Sequence, residues 1–454
     1  MKNYDIIIVG AATAGSYFAR RMAERGASVL VLDSKTEEKV GTKYDIFHIG
    51  KPDFEKHGLP YPVKGEDYAF EFDSTHVCSS YGKHPKFSPG GVIGMHMHEY
   101  TMRMNRWAKD AGAEYIYDAP FTGFIWENGK IAGVEYVKDG ETVSAKAKLV
   151  ADCSGIPSVA RRKLPDNYGV ETFEIGPDDM FYVVLRYIRF LNPGDRLELR
   201  SWPFYKTWEA PEHDPTGAIL GVGANKSYNV CEKIYKQFEE AVELKPYEVK
   251  YFERGMTPYR RPPYSFVADS FIAMGDAACL TKPAAGEGVT SAMVQMDIAV
   301  DVIDSLLKQG EPLTKENMWS INKRYIEAQG AEFANQMALL VGAVASSAQE
   351  NDYFFEHNLI FSEKNIKAVG EGGMPQFTAG EIVQMALDFI KGIVIGKISV
   401  ISLAKMLKGV ANGAKIKKHY LAFPDNVAGF DAWCAKAEKI WNKCGRMADQ
   451  VTDD

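Results

Sequence analysis

The first third of the chain alternates short apolar runs with glycine-rich turns. Residues 4–9 (Tyr-Asp-Ile-Ile-Ile-Val) read as a buried parallel strand, because a strand covered on both faces loses the polar alternation of a half-exposed one. Residues 10–15 (Gly-Ala-Ala-Thr-Ala-Gly) follow, then a helical pattern to Arg25, then a second apolar strand over 28–33 ending in Asp33. Later strands of the same character are expected at 148–155 and 270–276, with a long apolar helix over 291–307. Segments 180–190 and 217–223 read as strands of a separate, antiparallel sheet. Beyond 311 the period becomes helical. Residues 316–350 carry an apolar stripe of Trp319, Ile326, Phe333, Met337, Leu340 and Val344, and 379–418 is rich in Ile, Met, Leu and lysine. No repeat or low-complexity segment interrupts this order, and 449–454 reads as a short frayed tail.

Strand, glycine turn, helix and strand with a terminal acid make a βαβ dinucleotide unit. Gly10 makes the tight turn, Gly15 lets helix and strand pack closely, and the helix N-terminus faces a pyrophosphate. Ala12 replaces the second glycine and brings one methyl toward that pyrophosphate; Ala14 and Ser34 are the other expected contacts of this end. Asp33 would accept ribose hydroxyl hydrogen bonds. The fingerprint occurs once, which suits a tightly held FAD better than a simple nicotinamide dehydrogenase. Further on, Gly275-Asp276 ends a strand, Pro283 follows, and Gly286-Glu287-Gly288-Val289 opens the long helix. Asp276 can bind a ribityl hydroxyl, and the helix start offers backbone N–H groups to a flavin's pyrimidine edge.

Composition narrows the class. The 454 residues are 46% apolar and 25% charged, with 54 aromatic side chains, so the chain is not disordered. The net charge of −7 argues against a nucleic-acid binder. Cysteines 78, 153, 231, 279, 434 and 444 make no C-x-x-C pair, and no secretion signal precedes the first strand. A reducing, cytoplasmic setting is expected, without zinc ribbons or cysteine-ligated clusters. The best candidate span, 385–407, is broken by Asp388, Lys391, Lys397 and Lys405, so no crossing of a membrane is expected.

Gly10 to Gly15, the Asp152–Arg162 stretch and Gly275-Asp276 with Pro283 resemble the FAD-dependent family of aromatic hydroxylases, flavin halogenases and geranylgeranyl reductases. Arg260-Arg261-Pro262, Ser291-Ala292-Met293 and the end at Tyr420-Leu421-Ala422-Phe423-Pro424 are most similar to archaeal-type geranylgeranyl reductases, over nearly the whole chain. The resemblance implies an α/β fold: a Rossmann-like FAD-binding domain with an inserted antiparallel-sheet substrate domain and a helical C-terminal region. Its parts would be 1–60, 95–165 and 255–310 for FAD, 61–94 and 166–254 for substrate, and 311–454 for the helices. It also implies a cofactor contact for Arg103, on a helix expected over 100–112, and makes Tyr205 and Trp208 of the substrate domain the expected substrate-binding residues. Two departures stand out. The family's Cys-Gly pair is absent from Gly41-Thr42-Lys43-Tyr44-Asp45-Ile46-Phe47-His48, and its Tyr-x-Trp-x-Phe-Pro signature is reduced to the stretch from Tyr205 to Pro211. The halogenases' Trp-x-Trp-x-Ile-Pro is also missing, since Trp202 and Trp208 are six apart.

The expected activity is therefore FAD-dependent saturation of isolated double bonds in an isoprenoid lipid chain, fed by an external donor such as NAD(P)H or ferredoxin. The alternative is an FAD monooxygenase acting on an apolar or aromatic substrate. Tyr44, Asp45, His48 and Tyr205 are the proton-donor candidates, by resemblance of position. Met95-His96-Met97-His98-Glu99 reads as an extended stretch with two histidines on one face, better suited to a structural or pocket-lining role than to a metal. Cys279, inside the flavin loop, reads first as packing. The C-terminal helices read as core, with two further uses: a greasy channel for a prenyl chain, and peripheral membrane contact through the lysine-bearing face.

Overall fold

The computed structural model of the protein describes residues 1–42, 45–192, 195, 201–202, 205–211, 216–242, 244–344, 346–370 and 373–451. Among these, the strands form three sheets. The largest has the parallel order Phe271–Ala273, Glu141–Asp152, Asn3–Val9, Val29–Leu32, Glu114–Ile116, with an antiparallel edge added beyond Phe271–Ala273 and a hairpin branching from Glu141–Asp152. Its centre is apolar on both faces because helices cover it; Ile6, Ile7 and Ile8 are fully buried. The register Ile8↔Val31 and Ile8↔Ala151 brings the strand ends at Val9, Leu32 and Asp152 level. The loops that leave those ends share one crevice, where α/β sheets bind ligands.

The second sheet is antiparallel: Ser201–Trp202, Tyr205–Pro211, Gly217–Asn225, Met180–Phe190, Tyr247–Pro258. The third, also antiparallel, is Ile46–Gly50, Lys86–His96, Tyr68–Val77. Ile46, Phe70, Leu185, Tyr187 and Ile219 form one cluster, so these two smaller sheets pack face to face. The α/β fold with a separate antiparallel sheet and a helical C-terminal region is the one expected from sequence.

Three local expectations change. The 316–350 helix is divided into Trp319–Tyr325, a π turn at Ile326–Gly330, Ala331–Ala343 and Ala348–Glu356. A capping box restarts the chain: Ser347 accepts from the Glu350 N–H, and the Glu350 carboxylate accepts from the Ser347 N–H. The 379–418 block is two helices, Ala379–Val394 and Val400–Tyr420, because Gly396 turns at φ +71° and Ser399 caps the second. Finally, 95–99 is not one extended stretch. The strand ends at His96 and the helix Met97–Asp110 begins at once, so the two histidines part: His96 meets Asp45, while His98 Nδ1 lies 2.5 Å from the Val40 carbonyl.

Candidate cofactor and substrate cavity

The βαβ turn is built as its glycines require. Gly10 has φ +108°, and a Cβ there would lie 2.4 Å from the Cys153 carbonyl oxygen; a Cβ on Gly15 would lie 1.8 Å from the Gly10 carbonyl oxygen. The helix Thr13–Ala23 starts without a side-chain cap, leaving its first N–H groups open toward the crevice. Asp33 accepts from the Ala11 N–H at 2.8 Å and from the Lys35 N–H at 2.8 Å. A carboxylate has about four lone-pair directions, so two remain for a ribose.

The turn after Asp152 is latched to the Gly275 turn by buried groups. The Asp152 carboxylate accepts from the N–H groups of Ser154, Ala160 and Arg161, and from the Ser154 hydroxyl at 2.6 Å. Burial raises its pKa despite these donors. The fully buried Arg161 side chain donates to the Ala277 carbonyl (2.8 Å), the Glu171 carbonyl (2.7 Å) and the Ser158 hydroxyl (3.1 Å). This role of Arg161 was not read from the sequence.

A single cavity of about 950 Å³ runs over these turns. That is the top of the range of ~300–1,000 Å³ usual for ligand pockets. One part is lined by Gly10, Ala12, Ala14, Asp33 and Ser34, all expected cofactor contacts. Gly275, Asp276, Gly286, Gly288 and Val289 line it as well. Here the chain is backbone-rich, and the groups offered are N–H donors and carboxylates. Glu287 joins them: its carboxylate accepts from the Thr290 N–H at 2.6 Å and pairs with Lys282 at 3.0 Å. Burial opposes its ionisation, but Lys282 and the Thr290 donors hold its pKa below the ordinary range. Gly15 and Pro283 lie outside the lining, Gly15 against Gly10 and Pro283 buried two residues before the lining Ala285.

The other part is apolar and comes from the facing sides of the two smaller sheets, through Ile46, Phe72, Val92, Leu185 and Ile219. Three aromatic side chains complete this wall, each lying over a strand glycine. A Cβ on Gly94 would lie 2.6 Å from the Phe70 ring, one on Gly221 2.0 Å from the Trp208 ring, and one on Gly223 2.3 Å from the Phe181 ring. A glycine inside a strand marks such a close approach, and that signal was available in the sequence. The stripe of the C-terminal helices, including Trp319 and Phe333, is absent from the lining and buried in the core. The apolar chamber is thus made by sheets, not by the helical channel entertained above.

The remaining expected residues are placed as follows. His48 lines the cavity. Asp45 does not: it lies 3.2 Å from His96 Nδ1, accepts from the Tyr251 hydroxyl at 2.8 Å, and its N–H donates to Glu253. Tyr44 and the Tyr205 side chain fall outside the described residues. Arg103, the other expected cofactor contact, is not among the residues lining the cavity: its guanidinium donates to the Tyr61 carbonyl (2.8 Å) and to the buried Asp67 carboxylate (2.9 Å). Cys279 packs in the apolar cluster behind the Gly275 turn, where burial pushes its thiol up to about 12. Among the described residues, no group of three His, Cys, Asp or Glu could hold a metal.

No protein-family model matches the chain. The digeranylgeranylglycerophospholipid reductase of Sulfolobus acidocaldarius is 24% identical to it, over 96% of this chain and 97% of that one. Among solved structures, a geranylgeranyl bacteriochlorophyll reductase-like protein of Thermoplasma acidophilum matches with a TM-score of 0.70 at 18% identity, covering 87% of this chain and 98% of its own. The flavin-dependent brominase Bmp2 matches with a TM-score of 0.59 at 18% identity, covering 97% and 100%. The resemblance carried by the motifs holds along the chain: its curated relatives are digeranylgeranylglycerophospholipid reductases, and its fold is one shared by flavin-dependent enzymes.

Proposed function

We propose that the protein is an FAD-dependent reductase that saturates isolated carbon–carbon double bonds in the isoprenoid chain of a lipid. One observation carries this reading: the polar, backbone-lined crevice of the βαβ motif and the aromatic-walled chamber are one continuous cavity. The names of its curated relatives support the choice of substrate. The residues fit FAD, because the Gly10 turn at φ +108° leads into a helix whose first N–H groups have no side-chain cap, and because Asp33 keeps free lone pairs at the second strand's end.

When bound and reduced, FAD supplies a hydride. Gly10, Ala12 and the open N–H groups at the start of Thr13–Ala23 hold its diphosphate, Asp33 its ribose, and Asp276 its ribityl chain. In the Gly286–Val289 turn the Gly286 N–H is taken by the Lys282 carbonyl, and the N–H groups of Gly288 and Val289 would serve the ring edge that gains negative charge on reduction. Trp208, Phe181 and Phe70 hold the alkene in apolar surroundings and exclude water. An isolated alkene also needs a proton on the second carbon. The His48 imidazole, which lines the cavity, holds that proton and regains one from solvent afterwards. Asp45 is the weaker donor, since its hydrogen bond with His96 keeps it ionised.

The electrons enter from an external donor, NAD(P)H or ferredoxin, and the lipid is met at the membrane surface. No helix among the described residues is long and apolar enough to cross a membrane. Anaerobic mixing of the chemically reduced holoprotein with a geranylgeranyl lipid tests the reading. The oxidised flavin spectrum should return only when the lipid carries double bonds, whereas reoxidation that needs oxygen would refute it.

A further inference from the structure

The helices Ala379–Val394 and Val400–Tyr420 leave an apolar face uncovered. Among the described residues, eleven of the 21 exposed large hydrophobic side chains fall between Ile382 and Leu421. On the first helix Val383, Leu387, Ile390 and Val394 follow the i, i+4, i+7, i+11 spacing of one stripe. The turn at its end adds Ile395, and the second helix opens with Val400 and Ile401. Val394 is 79% exposed and Ile401 71%, values that a folded core element does not leave without a use. The opposite side of the pair is conventionally packed: Ile398, Met406, Phe389 and Leu403 meet Tyr353 and Phe354.

Charge identifies the occupant. Between Phe389 and Pro424 the sequence has seven lysines and no Asp, Glu or Arg, in a chain whose net charge is −7. Lys391, Lys397, Lys405 and Lys408 are exposed and make no ion pair among the described residues; of the seven lysines, only Lys417 pairs, with Glu332. A second copy of the chain docking symmetrically would set this patch against itself, lysine against lysine. An aliphatic face flanked by Lys391, Lys397, Lys405 and Lys408, none with an acidic partner among the described residues and Lys405 held only by the neutral Gln450, instead matches a bilayer surface with anionic headgroups, where the aliphatics enter the acyl boundary and the lysines reach the phosphates.

The geometry points to this helical pair as a membrane-docking face that seats the protein on an anionic bilayer through the Ile390–Ile401 tip. Its placement suits the cavity. Helix Val400–Tyr420 packs closely on Ala331–Ala343, with a Cβ on Gly342 only 2.4 Å from the Lys405 carbonyl oxygen. Met337 and Val341 of that inner helix pack on Phe181, which lines the apolar chamber. The docking face and the chamber wall are thus one helix apart. The inference rests on the reductase reading only for why a bilayer would be the source of substrate.

Flotation of the full-length holoprotein with phosphatidylcholine vesicles, with and without phosphatidylglycerol, tests it. Wild type should float with the phosphatidylglycerol vesicles and much less with phosphatidylcholine alone, and added salt should weaken binding. Val394→Asp with Ile401→Asp should cut partitioning by roughly tenfold or more, with flavin content and circular dichroism unchanged because both sites are exposed. Lys397→Glu with Lys405→Glu should abolish the preference for phosphatidylglycerol. Absence of flotation, or flotation that the two Asp substitutions leave intact, would overturn the proposal; so would a wild-type dimer that those substitutions dissolve. Flotation is read without turnover, so a protein that floats but leaves alkenes intact keeps this face and loses the reductase reading.

Discussion

Asp45 Oδ1 lies 3.2 Å from His96 Nδ1, and each group shifts the other's protonation. The hydrogen bond to His96 lowers the Asp45 pKa, and the same bond raises that of His96. The contribution of the raised histidine is full below its unfolded pKa and lost as pH rises through its folded value. That of the depressed carboxylate is full above its unfolded pKa and lost as pH falls through its folded value. The pair should therefore stabilise most between about pH 4 and 6.5, the two unfolded values. Both side chains are partly exposed, so the gain is at most about 1 kcal/mol. Thermal melts of wild type and Asp45→Asn across pH check this: the gap in Tm should be widest in that window and narrow above it, and a gap independent of pH would contradict it.

Gly10→Ala should strip the flavin. The substitution meets both a positive φ and the Cys153 carbonyl oxygen at 2.4 Å, neither of which a flexible side chain can relieve. The strain is of order 1–3 kcal/mol, set in the turn that must approach the diphosphate. Flavin absorbance per purified chain should fall well below that of wild type, and a fully loaded Gly10→Ala protein would refute the assignment of this turn.

Gly221→Ala separates the two parts of the cavity. Its new Cβ would displace the Trp208 ring, which lies 2.0 Å from the position the Cβ would take, while the crevice of the βαβ motif is untouched. Flavin content should be unchanged and KM for the lipid should rise. Trp208→Ala should raise KM for the lipid and relax the preference for chain length, as read by competition between short and long prenyl lipids.

Arg161→Ala should act on stability first. It leaves the Ala277 and Glu171 carbonyls and the Ser158 hydroxyl without their buried donor. The cost is on the order of 3 kcal/mol. The denaturant midpoint should fall, and flavin should be lost in parallel rather than before unfolding.

Much of this was legible in the sequence where one residue type has one physical use. Gly10, Gly15 and Asp33 announced the βαβ crevice because only glycine tolerates those approaches and only a strand-end acid reaches a ribose. Asp276 and the Gly286–Val289 turn line the cavity for the same reason. Arg103 was less legible, since a helical arginine reads alike whether it meets a cofactor or, as here, a buried Asp67 from a distant loop. In the chamber wall the strand glycines were visible but their aromatic partners were not, because the pairs form across strands: Gly221 and Trp208 are thirteen residues apart and adjacent only through the register of their antiparallel strands. The breaks within the C-terminal helices follow from Gly396 and Ser347, single residues that an apolar stripe overrides in a sequence reading.

The central claim is that the cavity delivers hydrogen, not oxygen, to an alkene. Its most direct test is the mass of a geranylgeranyl lipid extracted after incubation with the reduced holoprotein. The product should be heavier by two hydrogens for each double bond saturated, in air-free buffer and with His48→Gln much slower than wild type. A lipid of unchanged mass, or one that gains an oxygen atom when air is admitted, would contradict it.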